Sequence, residues 1–107
     1  MSDQKHQGVL DDLDGFDWDD GNVKKNVAKH QVTPQESEEV FYNEPLLISF
    51  DYGHSAKEER YRVLGQTNEH KQLFIVFAIR NRKIRIISSR RQSKKERGQY
   101  EKLKKRT

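Results

Sequence analysis

The stretch LFIVFAI, residues 73–79, is the longest apolar run in the chain and decides its fold. Its β-branched and aromatic residues favour a central strand that is buried on both faces. A short turn at residues 81–83 separates it from the similar segment IRIISS at 84–89, so the two segments are expected to pair as an antiparallel hairpin. The core of the protein is therefore predicted around this hairpin.

Two more strands are predicted on the N-terminal side of the hairpin. Residues 46–52 follow Pro45 and are apolar and aromatic, and residues 60–64 alternate between polar and apolar side chains. The segment 65–71 contains glycine, asparagine and charged residues, which suits a hairpin loop. The sequence thus predicts a twisted antiparallel sheet of four strands.

A first helix is predicted over residues 21–30. Asp19 or Asp20 can cap it, because a carboxylate at that position accepts from free backbone N–H groups and favours the positive end of the helix. Val23 and Val27 lie four residues apart, so they share one helix face, away from the neighbouring lysines.

Capping boxes mark the starts of two further helices. Thr33, with Pro34 after it and Glu36 three residues on, begins a helix that is expected to reach residue 42. Ser93 with Glu96 begins the last helix.

These elements predict one α+β domain: two N-terminal helices, a four-stranded twisted antiparallel sheet and a C-terminal helix. The helices are expected on one face of the sheet, which leaves the other face open to a ligand. We assign the domain to residues 15–104, after an acidic, disordered leader at 1–14 and before a basic tail at 105–107.

The composition argues against several classes of site. The chain has no cysteine, which excludes disulfides, zinc–thiolate sites and thiol nucleophiles. Its four histidines are far apart in sequence and lack the spacing of a metal site, so neither a metal nor another cofactor is expected. No run approaches the roughly 18 apolar residues of a membrane helix, and the N-terminus lacks the apolar stretch of a signal peptide. A cytoplasmic protein without a membrane partner is predicted.

Charge is distributed unevenly along the chain. Residues 1–20 contain seven aspartates and one lysine, whereas residues 80–107 contain thirteen lysines or arginines and two glutamates. So dense a positive surplus is expected to create a surface that attracts phosphate. A solvated basic tail is the alternative interpretation.

Three blocks of residues resemble the BrnT toxin family, a branch of the RelE/ParE toxin superfamily. They are FDWD at 16–19 with Asn26 and KHQV at 29–32; DYGHS at 51–55 with EERY at 58–61 and LG at 64–65; and RIISSRR at 85–91 with Glu96-Arg97 and Tyr100-Glu101. Their common order and compatible spacing over residues 16–101 make the match specific. Asn22 and Pro34 depart from the family, which often has a lysine and an aromatic residue there.

The resemblance implies a RelE-like fold and a metal-free ribonuclease that stops translation. It also implies neutralisation by a BrnA-like antitoxin with a ribbon–helix–helix DNA-binding domain. A heterotetramer of toxin and antitoxin is expected, and operator DNA would be contacted only through the antitoxin.

Metal-free RNA cleavage needs fixed cations, because the phosphate gains negative charge in the transition state while the 2′-hydroxyl loses a proton and the 5′-oxygen gains one. Arginine suits this need because it stays charged and offers a planar fork to phosphate oxygens. The candidate catalytic residues are Glu59, Arg60, Arg85, Arg90 and His30. The candidate RNA-binding residues are Lys29, His54, Arg91, Lys94 and Tyr100.

Several candidates also have a structural interpretation. Glu59, the candidate proton acceptor, can instead form a salt bridge, and Arg60 and Arg85 can form surface ion pairs. An imidazole is a suitable proton carrier, but His30 can also simply stabilise the C-terminal end of its helix. Tyr100 can belong to the core.

The sequence does not determine whether Arg85 and Arg90 of the last strand point to the same side of the sheet. Arg85 and Arg90 lie five residues apart, so regular alternation would place them on opposite sides of the sheet. They share a side only if the strand ends or bulges near Ser89.

Two other classes of function also fit the sequence. A non-catalytic nucleic-acid-binding module would explain the basic tract and the aromatic residues without any chemistry, and it predicts salt-sensitive binding without products. A gyrase inhibitor is the activity of the ParE branch of the superfamily. The acidic leader could also fold back onto residues 80–107 as an internal competitor of RNA.

Overall fold

The computed structural model describes residues 8–54 and 57–106 and has the predicted α+β class. Within these residues, in chain order, the elements are the strand β1 (Phe16–Asp17), the helices α1 (Asp20–His30) and α2 (Pro34–Val40), the strands β2 (Leu47–Phe50), β3 (Arg60–Gln66), β4 (Gln72–Arg80) and β5 (Lys83–Arg91), and the helix α3 (Lys94–Lys105). Short 3₁₀ turns lie at Gly8–Leu10 and Tyr52–His54. No helix in the described ranges is long and apolar enough to cross a membrane.

The sheet is mixed, with the strand order β1-β5-β4-β3-β2. The four predicted strands pair in antiparallel fashion. A fifth strand, β1, was not predicted; it pairs parallel to β5, with Phe16 opposite Ile84 and Asp17 opposite Arg85. A strand of two residues cannot show an alternation of polar and apolar side chains, which is why the sequence pattern does not reveal it.

One side of the sheet, which we call the core face, packs against α2 and the chain around Val32. Directly opposed residues on neighbouring strands point to the same side, so the register arranges the core in rows. One such row is Ile48, Val63 and Ile75, all fully buried, and Val40 of α2 belongs to the same cluster. We call the other side the arginine face, because Arg60, Arg62, Arg80, Arg85 and Arg90 point to it.

Helix α1 packs through asparagines rather than through the predicted valine face. Val27 is 42% exposed, whereas Asn26 is buried. The side chain of Asn22 donates to the carbonyl of Ile86, and that of Asn26 accepts from the backbone N–H of Ser89. These backbone groups belong to the part of the β5 edge that does not pair with β1. The helix therefore provides the hydrogen-bond partners that a neighbouring strand would supply.

Helix α3 does not lie with α2 on the core face, and the prediction of a single helical layer is wrong. Only two residues separate β5 from α3, so the helix must begin where β5 ends. Gln72 donates to Glu101 from the arginine face, which holds α3 across one end of that face. Tyr100 is fully buried, and its hydroxyl donates to the carbonyl of Pro45 at 2.6 Å.

Part of the expected leader is ordered. Leu10 and Leu13 pack against the hydrophobic core, and the N–H of Asp14 donates to the carbonyl of Arg82 at 2.6 Å. These two leucines supply apolar surface, so this part of the leader packs against the domain. Residues 1–7 of the leader lie outside the described ranges.

Candidate functional site

A β-bulge in β5 decides which arginines share a face. Val76 pairs with Ser88 and Phe77 pairs with Ile86, which leaves Ile87 as the extra residue of the bulge. Beyond it, the alternation of buried and less buried residues in β5 shifts by one position. The structure therefore has the bulged arrangement, one of the two that the sequence left open.

The bulge brings Arg85 and Arg90 to the arginine face. Arg85 lies opposite Ala78, and Arg90 lies opposite Phe74. The two partners are four residues apart on β4, so they point to the same side. Without the extra residue, one of the arginines would point to the core face.

Three arginines surround Ala78, and we call them the arginine cluster: Arg60, Arg80 and Arg85. Arg60 and Arg85 lie directly opposite Ala78 on the two neighbouring strands. Their Cα atoms are therefore two strand spacings, about 10 Å, apart, which their long side chains can bridge. Arg80 lies two residues further along β4, on the same face.

Glu58 is the carboxylate that pairs with Arg80 of the arginine cluster. It accepts a hydrogen bond from Nε of Arg80 at 2.5 Å. This bond lowers the pKa of Glu58, and the nearby charges of Arg80, Arg60 and Arg85 lower it further. Glu58 is therefore ionised at neutral pH and able to accept a proton.

Two aspartates hold Arg85 in place. Its Nη1 donates to Asp17 at 3.3 Å, and its Nη2 donates to Asp19 at 3.0 Å. Asp19 also caps α1 through the N–H of Asn22, and this bond, with a smaller effect of Arg85, lowers the pKa of Asp19. Only two of the five guanidinium N–H groups are used in these bonds, and the side chain keeps 21% of its surface exposed, so Arg85 can still bind an anion.

Arg90 lies on the same face but is engaged at the other end of the sheet. Its guanidinium packs over the ring of Phe74, 4.1 Å from the ring centre, and donates to both carboxylate oxygens of Glu96 at 2.8 and 3.0 Å. Burial would raise the pKa of Glu96, but Arg90 and the N–H of Ser93 outweigh it, so the pKa is lowered. Phe74 is four residues, about 13 Å, from Ala78. Arg90 therefore fixes α3 to the sheet rather than joining the arginine cluster.

Glu59, the predicted proton acceptor, does not lie with the arginine cluster. It is exposed and immediately precedes Arg60, so the alternation of the strand directs it to the opposite side. Its charge instead acts on Tyr61, which points to the core face. The pKa of Tyr61 is raised mainly by burial and to a smaller extent by the nearby charge of Glu59. The sequence did offer a signal for Glu58, since it lies two residues before Arg60 and so shares its side.

His30 and Lys29 lie away from the arginine cluster. Helix α1 runs along β5 in the same direction, with Asn22 beside Ile86 and Asn26 beside Ser89. His30 lies one helical turn beyond Asn26, toward the end of β5 that is farthest from Arg85. Lys29 is exposed at the same end of α1.

The remaining candidates are also dispersed. Arg91 lies opposite Leu73, so it points to the core-face side, where it lines a polar groove with Lys71. Lys94 is exposed at the start of α3, whereas Tyr100 is buried in the core. The side chain of His54 lies outside the described part of the chain. In the ranges 8–54 and 57–106, no group of three or more histidines or carboxylates could hold a metal ion.

Comparisons with known proteins agree with this fold. Residues 18–96 match the model of a family described as the ribonuclease toxin BrnT of type II toxin–antitoxin systems. The chain is also similar to the crystal structure of the ribonuclease toxin BrnT from Brucella abortus, at 20% identity and a TM-score of 0.56, over 75% of this chain and 97% of that chain. At that identity the likeness shows the fold alone, and no curated protein matches the sequence. Since the family model spans most of the chain, the protein belongs to the BrnT family of ribonuclease toxins of type II toxin–antitoxin systems.

Proposed function

We propose that this protein is a metal-independent endoribonuclease that inhibits translation by cutting RNA at the arginine cluster. Membership of a ribonuclease toxin family supports RNA as the substrate. The observation that carries the proposal is the position of Arg60 and Arg85 on the two sides of Ala78, with Arg80 and Glu58 beside them. Fixed cations next to an ionised carboxylate are the groups that this chemistry requires.

The proposed reaction places the scissile phosphate over Ala78. The 2′-oxygen attacks phosphorus, its proton passes to Glu58, and the bond to the 5′-oxygen breaks. The 5′-oxygen takes a proton from water, so the products are a 2′,3′-cyclic phosphate and a 5′-hydroxyl. Arg60 and Arg85 stabilise the negative charge that the phosphate gains on the way.

In this scheme Glu58 takes the role that the sequence suggested for Glu59. Arg90 contributes to the site indirectly, because it holds α3 against the sheet. Lys29, Arg91 and Lys94 contribute long-range attraction for RNA rather than contact with the reacting phosphate, and His30 has no part in the reaction.

The partner proposed for this toxin is a BrnA-like antitoxin that covers the arginine face. An acidic segment of the antitoxin would complement the arginine cluster and exclude RNA from it. The proposed antitoxin has a ribbon–helix–helix DNA-binding domain and forms a heterotetramer with the toxin. Operator DNA is contacted only through the antitoxin, and the complex is cytoplasmic.

The test is cleavage of a labelled RNA by the purified protein in excess chelator. The wild type is expected to produce fragments that end in 2′,3′-cyclic phosphate, and an Arg60→Ala/Arg85→Ala variant is expected to lose at least about 10²-fold in rate, as when a group that stabilises transition-state charge is removed. Arg82→Ala serves as the control, because Arg82 pairs with Asp14 outside the cluster. RNA that is bound but stays intact would instead support the non-catalytic binding module.

A further inference from the structure

A groove on the arginine face, between α3 and the sheet, has no role in the reaction proposed above. Its floor is the row Leu47, Leu64 and Phe74, which lie opposite one another on β2, β3 and β4. Gln99 and Glu96 of α3 form one wall, and the space amounts to about 360 Å³. That volume lies within the range of pockets that bind small ligands.

The neighbouring row of the sheet, which contains Arg62, supplies a positive charge at this groove. Arg62 lies opposite Ser49 on one side and Val76 on the other, so it points to the arginine face at the mouth of the groove. Its side chain is exposed, and within the described residues no carboxylate pairs with it, in contrast to Arg85 and Arg90. Its guanidinium is therefore available to an anion.

The wall of the groove offers hydrogen-bonding groups. The amide of Gln99 offers two donors and an acceptor, and no described side chain is bonded to it. Arg90 packs over the ring of Phe74 and is itself held by Glu96, so this part of the floor is fixed in position. The groove is thus pre-formed, with an apolar floor, a free amide on one wall and a free cation at its mouth.

A nucleotide of single-stranded RNA has matching chemistry. A base has apolar faces that prefer an apolar surface, a polar edge that can bond with an amide, and a phosphate attached nearby. Arg62 lies one row, about 7 Å along β4, from the row of Arg60, Ala78 and Arg85. This separation suits the nucleotide next to the one whose phosphate occupies the arginine cluster.

We propose that this groove binds the unpaired base of the nucleotide adjacent to the cleavage site, with its phosphate on Arg62 and its edge on Gln99. This inference rests on the proposed ribonuclease function and assigns to the groove the choice of where RNA is cut.

The test compares maps of cleavage sites on a mixed RNA pool for the wild type and two groove variants. Gln99→Leu removes the polar wall, and Ser49→Phe fills the space beside Arg62. Gln99→Leu is expected to change the base preference next to the cut about fivefold or more, as when a base edge loses its side-chain partner. Ser49→Phe is expected to lower the rate about tenfold or more through loss of the stacking site. The cleavage-site map of Arg62→Gln is compared with that of Arg97→Gln, a substitution on α3 that removes the same charge at a position away from the groove.

A second measurement does not depend on cleavage. The side-chain amide signal of Gln99 is followed by NMR during titration with a short single-stranded oligonucleotide of 2′-deoxy chemistry, which cannot be cut. A shift of this signal that is abolished in Ser49→Phe is expected, with both proteins checked for folding by circular dichroism.

The outcomes separate the groove from the proposed function. Cleavage by the wild type, with an unchanged site map in Gln99→Leu and an unchanged rate in Ser49→Phe, would overturn the groove inference and leave the ribonuclease proposal standing. If no RNA is cut, the ribonuclease proposal fails, and the amide titration alone then supports or overturns base binding. If the groove variants lose only their neutralisation by antitoxin, the groove binds a protein, which overturns the inference.

Discussion

At the scale of single residues, Asp19 shows how one side chain links the fold to the site. One carboxylate oxygen accepts from the N–H of Asn22 and caps α1, while the other accepts from Arg85. The start of the helix and the orientation of the arginine are therefore coupled. Since the side chain is well solvated, its ion pair with Arg85 adds little to stability and acts mainly to position the arginine.

The proposed role of Glu58 predicts a specific loss of activity. Glu58→Gln is expected to lower the cleavage rate about 10²- to 10⁴-fold, because an amide cannot accept the proton of the 2′-hydroxyl. The same substitution at Glu59 provides the comparison, measured as single-turnover cleavage under identical conditions. A larger effect at Glu59 than at Glu58 would contradict the assignment.

The pH dependence of cleavage follows from the lowered pKa of Glu58. The carboxylate is ionised, and so competent as a base, throughout the range above 4.5, and the rate should fall only below that pH as Glu58 is protonated. Arg80→Gln removes the main cause of the lowering, so the acidic limb of its profile should move to higher pH. Rates are read only at pH values where circular dichroism shows the native fold. A wild-type rate that falls already between pH 7 and 6 would point to a histidine instead.

At the scale of elements, the bulge in β5 and the close approach of α2 both depend on single residues. Ile87 adds the residue that turns Arg90 to the same side as Arg85. Gly65 in β3 lies under α2, where a Cβ would come within 2.5 Å of Cγ1 of Val40 and 3.2 Å of Cδ1 of Leu46. The helix can rest on the sheet only because this side chain is missing.

Gly65→Ala is therefore expected to lower the free energy of unfolding by about 1–3 kcal/mol through overpacking. Gly98→Ala is the matched control: Gly98 lies within α3, a Cβ there would meet no atom within 4 Å, and alanine should raise stability by about 0.5–1 kcal/mol. Both values can be measured by urea unfolding. Equal effects of the two substitutions would show that the contact with Val40 does not limit the packing of α2.

The acidic segment at residues 11–20, which contains β1, is predicted to weaken RNA binding. Asp17 lies beside Arg85 and offsets its charge. Asp17→Asn should therefore tighten the Kd for a non-cleavable RNA by up to about fivefold at low salt, since an exposed ion pair is worth about 0.2–1 kcal/mol. The gain should disappear at high salt.

Asp11→Asn makes the same change in net charge in the same segment, and Asp11 is exposed. An equal gain from this control would mean that the total charge, rather than the contact with Arg85, governs RNA affinity.

At the scale of the whole molecule, the two sides of the sheet differ in composition: one is apolar and the other is charged. The core face buries the apolar rows under α2, whereas the arginine face holds the cations together with the carboxylates of Asp17, Asp19, Glu58 and Glu96. This pairing lets several arginines lie close together without strong mutual repulsion.

RNA binding is predicted to depend moderately on salt. Contacts with two or three phosphates of a single strand should give a slope of about −1.4 to −2.1 in a plot of log K against log salt concentration. The slope can be measured by fluorescence anisotropy with a non-cleavable RNA. A slope near zero would show that the arginine face does not bind the RNA backbone.

The sequence by itself determined the features that depend on local interactions. Apolar and β-branched runs located β2, β4 and β5, an alternation of polar and apolar side chains located β3, and the capping boxes at Thr33 and Ser93 marked the starts of α2 and α3. Both capping boxes are present as predicted, because each involves only residues within one helical turn. The three sequence blocks also identified the family, which residues 18–96 confirm.

Only the tertiary structure decided which residues meet. The pairing of β1, the bulge at Ile87 and the asparagine contacts of α1 all depend on strands or edges that are distant in sequence. Because one extra residue reverses every later side chain of a strand, the face of Arg90 could not be fixed until β5 was aligned with β4. The sequence thus supplies the arginines, and the register of the sheet determines which of them lie together in the arginine cluster.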